Sequence, residues 1–336
     1  MGRSDVGEGV FDPVPAEHRD KARSALAAVF GAAAISTIAP LSGGASGAYI
    51  FRVRSGARQV LLRIEGIPSP LRNPHQYVSM QIASDAGIAP RLLYVNETDR
   101  VAVMDVIEER PLRDFPGGQA ALSEALGQLL RRLQATPAFP QFVDYGDIVS
   151  RLFAHVVRTG LFADGLLAPH VAKLEHIRTT LAWDQASLVS SHNDANPRNI
   201  LFDGNRLWLI DWESAYRNDP LVDVAVMLDN LAPTPELEAV LLRSWLGRAP
   251  DAAILERLDP IRALTRLYFA GVLLSASATA PRSAPYDDLS APSLAELVSA
   301  VRAGRVVRSF ETANVMGKMY LASFLSGAPV PPLDLV

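Results

Sequence analysis

The chain has 336 residues, 49% hydrophobic and 20% charged, with a formal net charge of −4 at pH 7. This length supports two lobes with a sizeable core, and the small negative charge without any polybasic run argues against a nucleic-acid partner. Cysteine is absent, which excludes disulfides, thiol nucleophiles and Cys-ligated zinc and points to a reducing cytoplasm.

The opening MGRSDVGEGVFDPVP lacks the apolar core of a secretory leader. The longest apolar run, LYFAGVLLSASATA at 267–280, is too short to cross a bilayer, so no membrane insertion is expected. A helix is predicted over 16–30, with Pro15 near its start. TIAPLSGGASGAYIFRVRSGARQVLLRIEG, 37–66, reads as strand, glycine loop, strand, turn and strand. NPHQYVSMQIASDAG, 73–87, reads as a helix with Asn73 as cap, Pro74 in the first turn and Gly87 just past the end. RVAVMDVI, 100–107, is another strand.

Beyond it the apolar spacing turns helical. Helices are predicted at 120–134, 145–162, 168–183, 235–247, 260–279, 292–304 and 308–325. One hairpin interrupts them: NILF and RLWLIDW flank an Asp-Gly-Asn turn. The expected organisation is α+β, a small sheet-rich lobe over 1–107 followed by a larger, mainly helical lobe over 108–336.

The chemistry concentrates in SHNDANPRNILFDGNRLWLIDWE, 191–213. Taken singly, His192 is a structural hydrogen-bonder, Asp194 a turn residue and Asp211 a strand-end carboxylate. Jointly, the spacing H-x-D-x-x-x-x-N followed by D-x-E is that of phosphoryl transfer. That reaction needs a carboxylate to orient an alcohol and take its proton, which Asp194 supplies. It also needs oxygen ligands for a hard cation, which Asn199 and Asp211 supply.

Upstream, the loop SGGASG can bend over phosphates, with Ser42, Gly43, Gly44 and Ser46 offering backbone N–H groups. On VLLRI, Leu61 and Arg63 share one strand face, one apolar and one cationic, as an adenine roof and a phosphate clamp require. The competing reading of Arg63 is a solvent-facing edge residue.

These segments together resemble the aminoglycoside phosphotransferase and choline kinase family of protein-kinase-like enzymes. SHNDANPRNIL resembles its catalytic loop, IDWE its metal segment, DPLVDVAVM (219–227) the helix start that follows, and PLSGGASGAYIFRV with VLLRIEG its nucleotide strands. The similarity runs from about 35 to about 230. It implies a protein-kinase-like two-lobed fold, ATP and Mg2+ as cofactors, and a small-molecule hydroxyl as acceptor, with cationic amino alcohols or amino sugars foremost. It implies that Asp194 is the base, that Asn199 and Asp211 hold magnesium, that Asp223 braces the loop and that Glu213 supports the metal. It further implies that the carbonyl of Asp105 and the amide of Ile107 read the adenine edge.

Two departures qualify the resemblance. The family carries a glutamate on the helix after the clamp strand, and this chain has Gln76 there, which equally fits a capping box with Asn73. Choline kinases carry tryptophans where this chain has Tyr268 and Phe269, which also read as core aromatics. Asp219, Asp229, Glu311 and the YDDL at 286–289 are acids available to a cationic acceptor. The leading expectation is a small-molecule kinase. A nucleotide-binding pseudokinase and a metal-dependent hydrolase are the rival readings.

Overall fold

The computed structural model describes residues 9–41, 47–66, 73–305, 309–328 and 330. Helix α1 (Arg19–Phe30) is followed by strands β1 (Thr37–Pro40), β2 (Ala48–Ser55) and β3 (Arg58–Glu65), helix α2 (Gln76–Asp85), and strands β4 (Leu92–Asn96) and β5 (Val101–Asp105). Then come α3 (Gly118–Gln134), α4 (Tyr145–Arg158), α5 (Ala168–Thr180), β6 (Val189–Ser191), the hairpin strands β7 (Ile200–Phe202) and β8 (Leu207–Leu209), and β9 (Tyr216–Asn218). Five helices close the chain: α6 (Pro220–Leu231), α7 (Pro235–Leu246), α8 (Ala252–Ser277), α9 (Leu294–Arg302) and α10 (Phe310–Ser326).

The chain divides into two compact units. One comprises Met1–Pro111 with Leu201–Ser214, the other Leu112–Ile200 with Ala215–Val336. The first unit is built on an antiparallel sheet in the order β1-β2-β3-β5-β4. Val60, Leu62 and Ile64 alternate along β3 and are fully buried with Phe51 and Val53 of β2 and Val101 and Val103 of β5. Helix α1 closes this core with Ala22, Ala25 and Leu26, spaced three and four apart. Burying a leucine such as Leu26 contributes ~1.5–3 kcal/mol.

The β7–β8 hairpin joins this unit from far along the sequence. The N–H of Arg110 donates to Phe202 at 2.7 Å, and that of Leu209 to Ile88 at 2.9 Å. Its turn is set by Asp203, whose carboxylate accepts the N–H groups of Asn205 and Arg206 at 2.7 and 2.9 Å and the indole N–H of Trp208 at 2.8 Å. Gly204 takes φ 99°, a conformation that excludes most side chains.

The second unit is helical around a short antiparallel pair, β6 with β9. Helix α3 lies so close to α7 that a Cβ on Gly127 would come within 2.5 Å of the Leu241 carbonyl oxygen. Asp219 caps α6 through the N–H of Leu221 at 2.9 Å and pairs with Arg257 of α8.

Some elements differ from the expectations. Helix α8 begins at Ala252, eight residues before the predicted start, and Pro260 lies inside it. Asp251 caps this early start at the N–H of Ile254, 3.0 Å, and the buried Leu258 anchors the first turns, so the missing proline N–H does not end the helix. Strands β4, β6 and β9 were not foreseen. Helix α2 begins at Gln76 rather than at Pro74, because Asn73 uses its side chain to bond the N–H of His75 at 2.9 Å. That turn stands where the capping box, one of the two readings of Gln76, would have formed.

Candidate functional site

In the first unit the centre is Arg63, 8% exposed in the middle of β3 opposite Ile50 and Ala102. Strand periodicity puts Arg63 and Glu65 on one face. The Arg63 guanidinium reaches Glu65 Oε1 from Nη1 at 3.3 Å and forms an ion pair with Glu213 through Nη2. Gln76, 2% exposed at the start of α2, donates its amide to the same Glu65 oxygen. Burial works against the charge on Arg63, but Glu213, Asp211, Tyr77 and Glu65 outweigh it and raise the pKa above its ordinary value. Arg63 is therefore not the solvent-facing edge residue of the competing reading.

Asp211 follows β8 by two residues and adopts φ 64°, the left-handed region, where a non-glycine residue is strained. Its Oδ1 is shielded from solvent and has no hydrogen-bond partner among the described residues. Burial raises its pKa and the charge of Arg63 opposes that. A strained, shielded and unbonded carboxylate oxygen is the donor type a divalent cation takes. Glu65 and Glu213 are taken by Arg63, and the described residues hold no cluster of three or more His, Cys, Asp or Glu, so Asp211 fits a magnesium ion whose remaining ligands are phosphate and water oxygens.

Leu61 lies half-buried on β3 between Arg52 and Met104 of the neighbouring strands. Asp105 pairs with the Nε of Arg91 at 3.0 Å. Asp105 and Ile107 line one cavity of about 360 Å³ with Ser84, Arg91, Arg206 and Trp208. Ser42, Gly43, Gly44 and Ser46 lie outside the described residues.

In the second unit the loop after β6 carries the remaining groups. His192 is fully buried, and its N–H donates to Asp223 Oδ2 at 2.7 Å; the N–H of Asn193 takes Oδ1, also at 2.7 Å. Asn193 has φ 62° and is held further by Asn218, whose amide donates to Asn193 Oδ1 at 2.7 Å. Asp194 is half-buried, and both carboxylate oxygens accept amides: Oδ1 from Asn196 at 2.7 Å and Oδ2 from Asn199 at 2.9 Å. Pro197 opens a 3-10 turn, Pro197–Asn199, that Asn196 caps through the N–H of Arg198 at 2.9 Å. Asp194 thus has a fixed direction, and the Asn199 amide nitrogen is already engaged.

Aromatic rings gather in the same unit. Tyr145 lies 6.1 Å from Tyr268 and 6.4 Å from Trp183, and Tyr216 lies 5.7 Å from Phe142. Burial raises the pKa of the Tyr145 hydroxyl well above normal, and Tyr268, Tyr216, Asp223 and Asp194 add to the effect. Phe269 is 7% exposed and belongs to the core, whereas Tyr268 is half-buried. Two of the acids considered for a cationic acceptor are already paired: Asp219 with Arg257, and Asp229 with Arg262 and Arg266 at 2.5 and 2.7 Å.

The sequence reading missed Glu65, Asn193, Asn196, Asn218, Tyr145, Trp183 and Tyr216. Glu65 was legible, since it follows Arg63 by one strand period. Asn196 was legible as the cap before Pro197. The aromatic residues come from three separate segments and carry no spacing signal.

The model of the phosphotransferase enzyme family matches residues 37–261, and the chain belongs to that family. Among solved structures, it is similar to a choline/ethanolamine kinase family protein from Mesorhizobium loti, with a TM-score of 0.63 and 19% identity over 92% of this chain and 95% of that one. It is also similar to spectinomycin phosphotransferase APH(9)-Ia in complex with ADP and spectinomycin, with a TM-score of 0.57 and 13% identity over 76% and 88% of the two chains. The fold is thus protein-kinase-like: a five-stranded antiparallel sheet and a helical part. Protein LicA of Haemophilus influenzae is 39% identical over 57 residues, 17% of this chain. The chain spans only 21% of that relative's length, and 11% of another curated relative's. No helix among the described residues is long and apolar enough to cross a membrane.

Proposed function

We propose that the protein is an ATP- and magnesium-dependent kinase that phosphorylates a hydroxyl of a small amino alcohol. The first unit takes the nucleotide and the second the acceptor. The observation that carries this reading is the Asp194 carboxylate, aimed by two amides on a loop that Asp223 holds by its backbone. A base that must meet an alcohol proton in one direction needs this kind of fixing.

In the reaction, Asp194 takes the proton of the acceptor hydroxyl as its oxygen bonds to the γ-phosphorus of ATP. The bond from that phosphorus to the β–γ bridging oxygen breaks, and ADP leaves. Arg63 binds phosphate oxygens. Asp211 of the first unit, through its unbonded Oδ1, and Asn199 of the second, through its amide oxygen, would be the ligands of magnesium, which would neutralise charge on the phosphates. His192 and Asp223 keep the loop in place, and Glu213 pairs with Arg63 beside Asp211. Leu61 and the backbone of Asp105 and Ile107 receive the adenine.

The amino-alcohol acceptor is supported by Trp183 and Tyr268, two half-buried rings packed beside the buried Tyr145, since aromatic faces attract an ammonium group without an ion pair. Asp219 and Asp229, which an amino sugar could use, are neutralised by arginines. The likeness to the choline/ethanolamine kinase family protein from Mesorhizobium loti supports the same acceptor class.

The test is an ADP-release screen over amino alcohols, amino sugars and unrelated hydroxylated metabolites, with Asp194→Asn as control. Turnover with an amino alcohol, abolished in Asp194→Asn while Mg-ATP still binds, is the expected result. Mg-ATP binding with no acceptor phosphorylated would establish a pseudokinase instead.

A further inference from the structure

Arg63 needs a carboxylate to hold it, and the α2 residue that reaches this place is Gln76, an amide. We infer that Glu65, oriented by Gln76, is the positioning carboxylate for Arg63, so that the acid stands on the clamp strand itself. This rests on the reading of Arg63 as the phosphate clamp.

The geometry supports it in three ways. Glu65 is 5% exposed and Arg63 8%, and a buried carboxylate is tolerated only when paired and hydrogen-bonded. Both Arg63 Nη1 and the Gln76 amide reach the same Oε1 of Glu65. The amide therefore fixes the carboxylate without adding charge. A glutamate at 76 would place a second anion beside Glu65, with Glu213 already on the same guanidinium, and the like charges would repel. Gln76 is thus the complement of Glu65, and the two exchange the charge and amide roles between strand and helix.

The two carboxylates on Arg63 also differ in footing. Glu65 sits within a paired strand opposite Ala48, whereas Glu213 is half-buried in the turn after Asp211. The guanidinium is planar and offers separate nitrogens to each. Glu65 fixes the plane, and Glu213 is the partner that a phosphate oxygen can displace.

The test is Mg-ADP binding to the full chain, which needs no acceptor, measured by calorimetry with thermal unfolding recorded alongside. Glu65→Gln is expected to weaken binding about ten-fold or more, the effect of losing a charge-assisted hydrogen bond. Gln76→Glu alone is expected to weaken it as well. The double variant Glu65→Gln/Gln76→Glu returns one carboxylate and one amide to the pair and is expected to recover most of the loss. Unchanged affinity in a folded Glu65→Gln protein, or no recovery in the double variant, overturns the inference and leaves Glu65 a fold anchor. If Glu65→Gln does not fold, Gln76→Ala decides: weaker binding by about three-fold or more supports the inference, and wild-type affinity overturns it. Wild-type protein that binds no Mg-ADP would sink the kinase reading and this inference together. Binding that is insensitive to Glu65 sinks the inference alone.

Discussion

The backbone N–H of His192 donates to Oδ2 of Asp223 at 2.7 Å, tying the end of β6 to the first turn of α6. The other oxygen takes the N–H of Asn193, so one buried carboxylate satisfies two donors on the segment that carries Asp194. Burial pushes the pKa of Asp223 from 3.8 up to about 6, against the pull of those two hydrogen bonds. The folded state therefore binds the proton more tightly than the unfolded chain. The resulting stabilisation is fully present below pH 3.8 and is lost as the pH rises towards 6. An elevation of this size corresponds to about 3 kcal/mol. Urea unfolding between pH 4 and 6 is expected to show wild-type stability falling relative to Asp223→Asn by an amount of that order. Parallel curves for the two proteins would refute the linkage.

Asn196 touches Asp194 without belonging to the motif. Its amide donates to Asp194 Oδ1 at 2.7 Å, and its own oxygen caps the Arg198 N–H. Asn196→Ala removes one of the two groups that aim the carboxylate and leaves its charge. We expect kcat to fall about ten- to a hundred-fold, as for a lost hydrogen bond to a charged group, with little change in the acceptor KM. Steady-state kinetics separates the two. A rise in acceptor KM at constant kcat would make Asn196 a binding group instead.

The legible parts of the sequence were those with long periodicity or obligatory turn chemistry. The β2–β3 pair, the Asp203 turn and most helices of the second unit follow from alternation, Asp-Gly-Asn and three-to-four spacing. The strands of three residues, β6 and β9, are too short to show a period, and their pairing joins residues 189 and 218. Pro260 misled because proline usually opens a helix, whereas here the Asp251 cap and the burial of Leu258 hold the turns before it. At the candidate site, a linear motif singles out Asp194, Asn199 and Asp211. Partners that arrive from elsewhere, such as Tyr145, Trp183 and Asn218, depend on tertiary folding and leave no mark in spacing.

Gly127 is a packing requirement of the second unit. A methyl group there would lie 2.5 Å from the Leu241 carbonyl oxygen and 2.8 Å from the Trp245 nitrogen, both backbone atoms that cannot rotate away. Helix propensity alone would favour alanine by ~1 kcal/mol. The clash should win, so Gly127→Ala is expected to destabilise the protein by about 1–3 kcal/mol, the usual range for overpacking. Chemical denaturation measures it directly, and a stabilised variant would show that α3 and α7 move apart freely.

Asp203 controls the hairpin that leads to Asp211. Burial would raise its pKa, but the N–H groups of Arg206, Trp208 and Asn205 outweigh this and hold it below 3.8. Its stabilisation is thus present above pH 3.8 and lost as the pH falls further. Asp203→Ala leaves three donors without their acceptor at the turn, for a cost of about 1–3 kcal/mol. The loss should be local, because the Leu209 N–H still bonds Ile88. Hydrogen exchange should therefore quicken at Asn205 and Arg206 and much less at Leu209. Equal acceleration of exchange at all three amides would mean that Asp203 supports the whole hairpin rather than its turn.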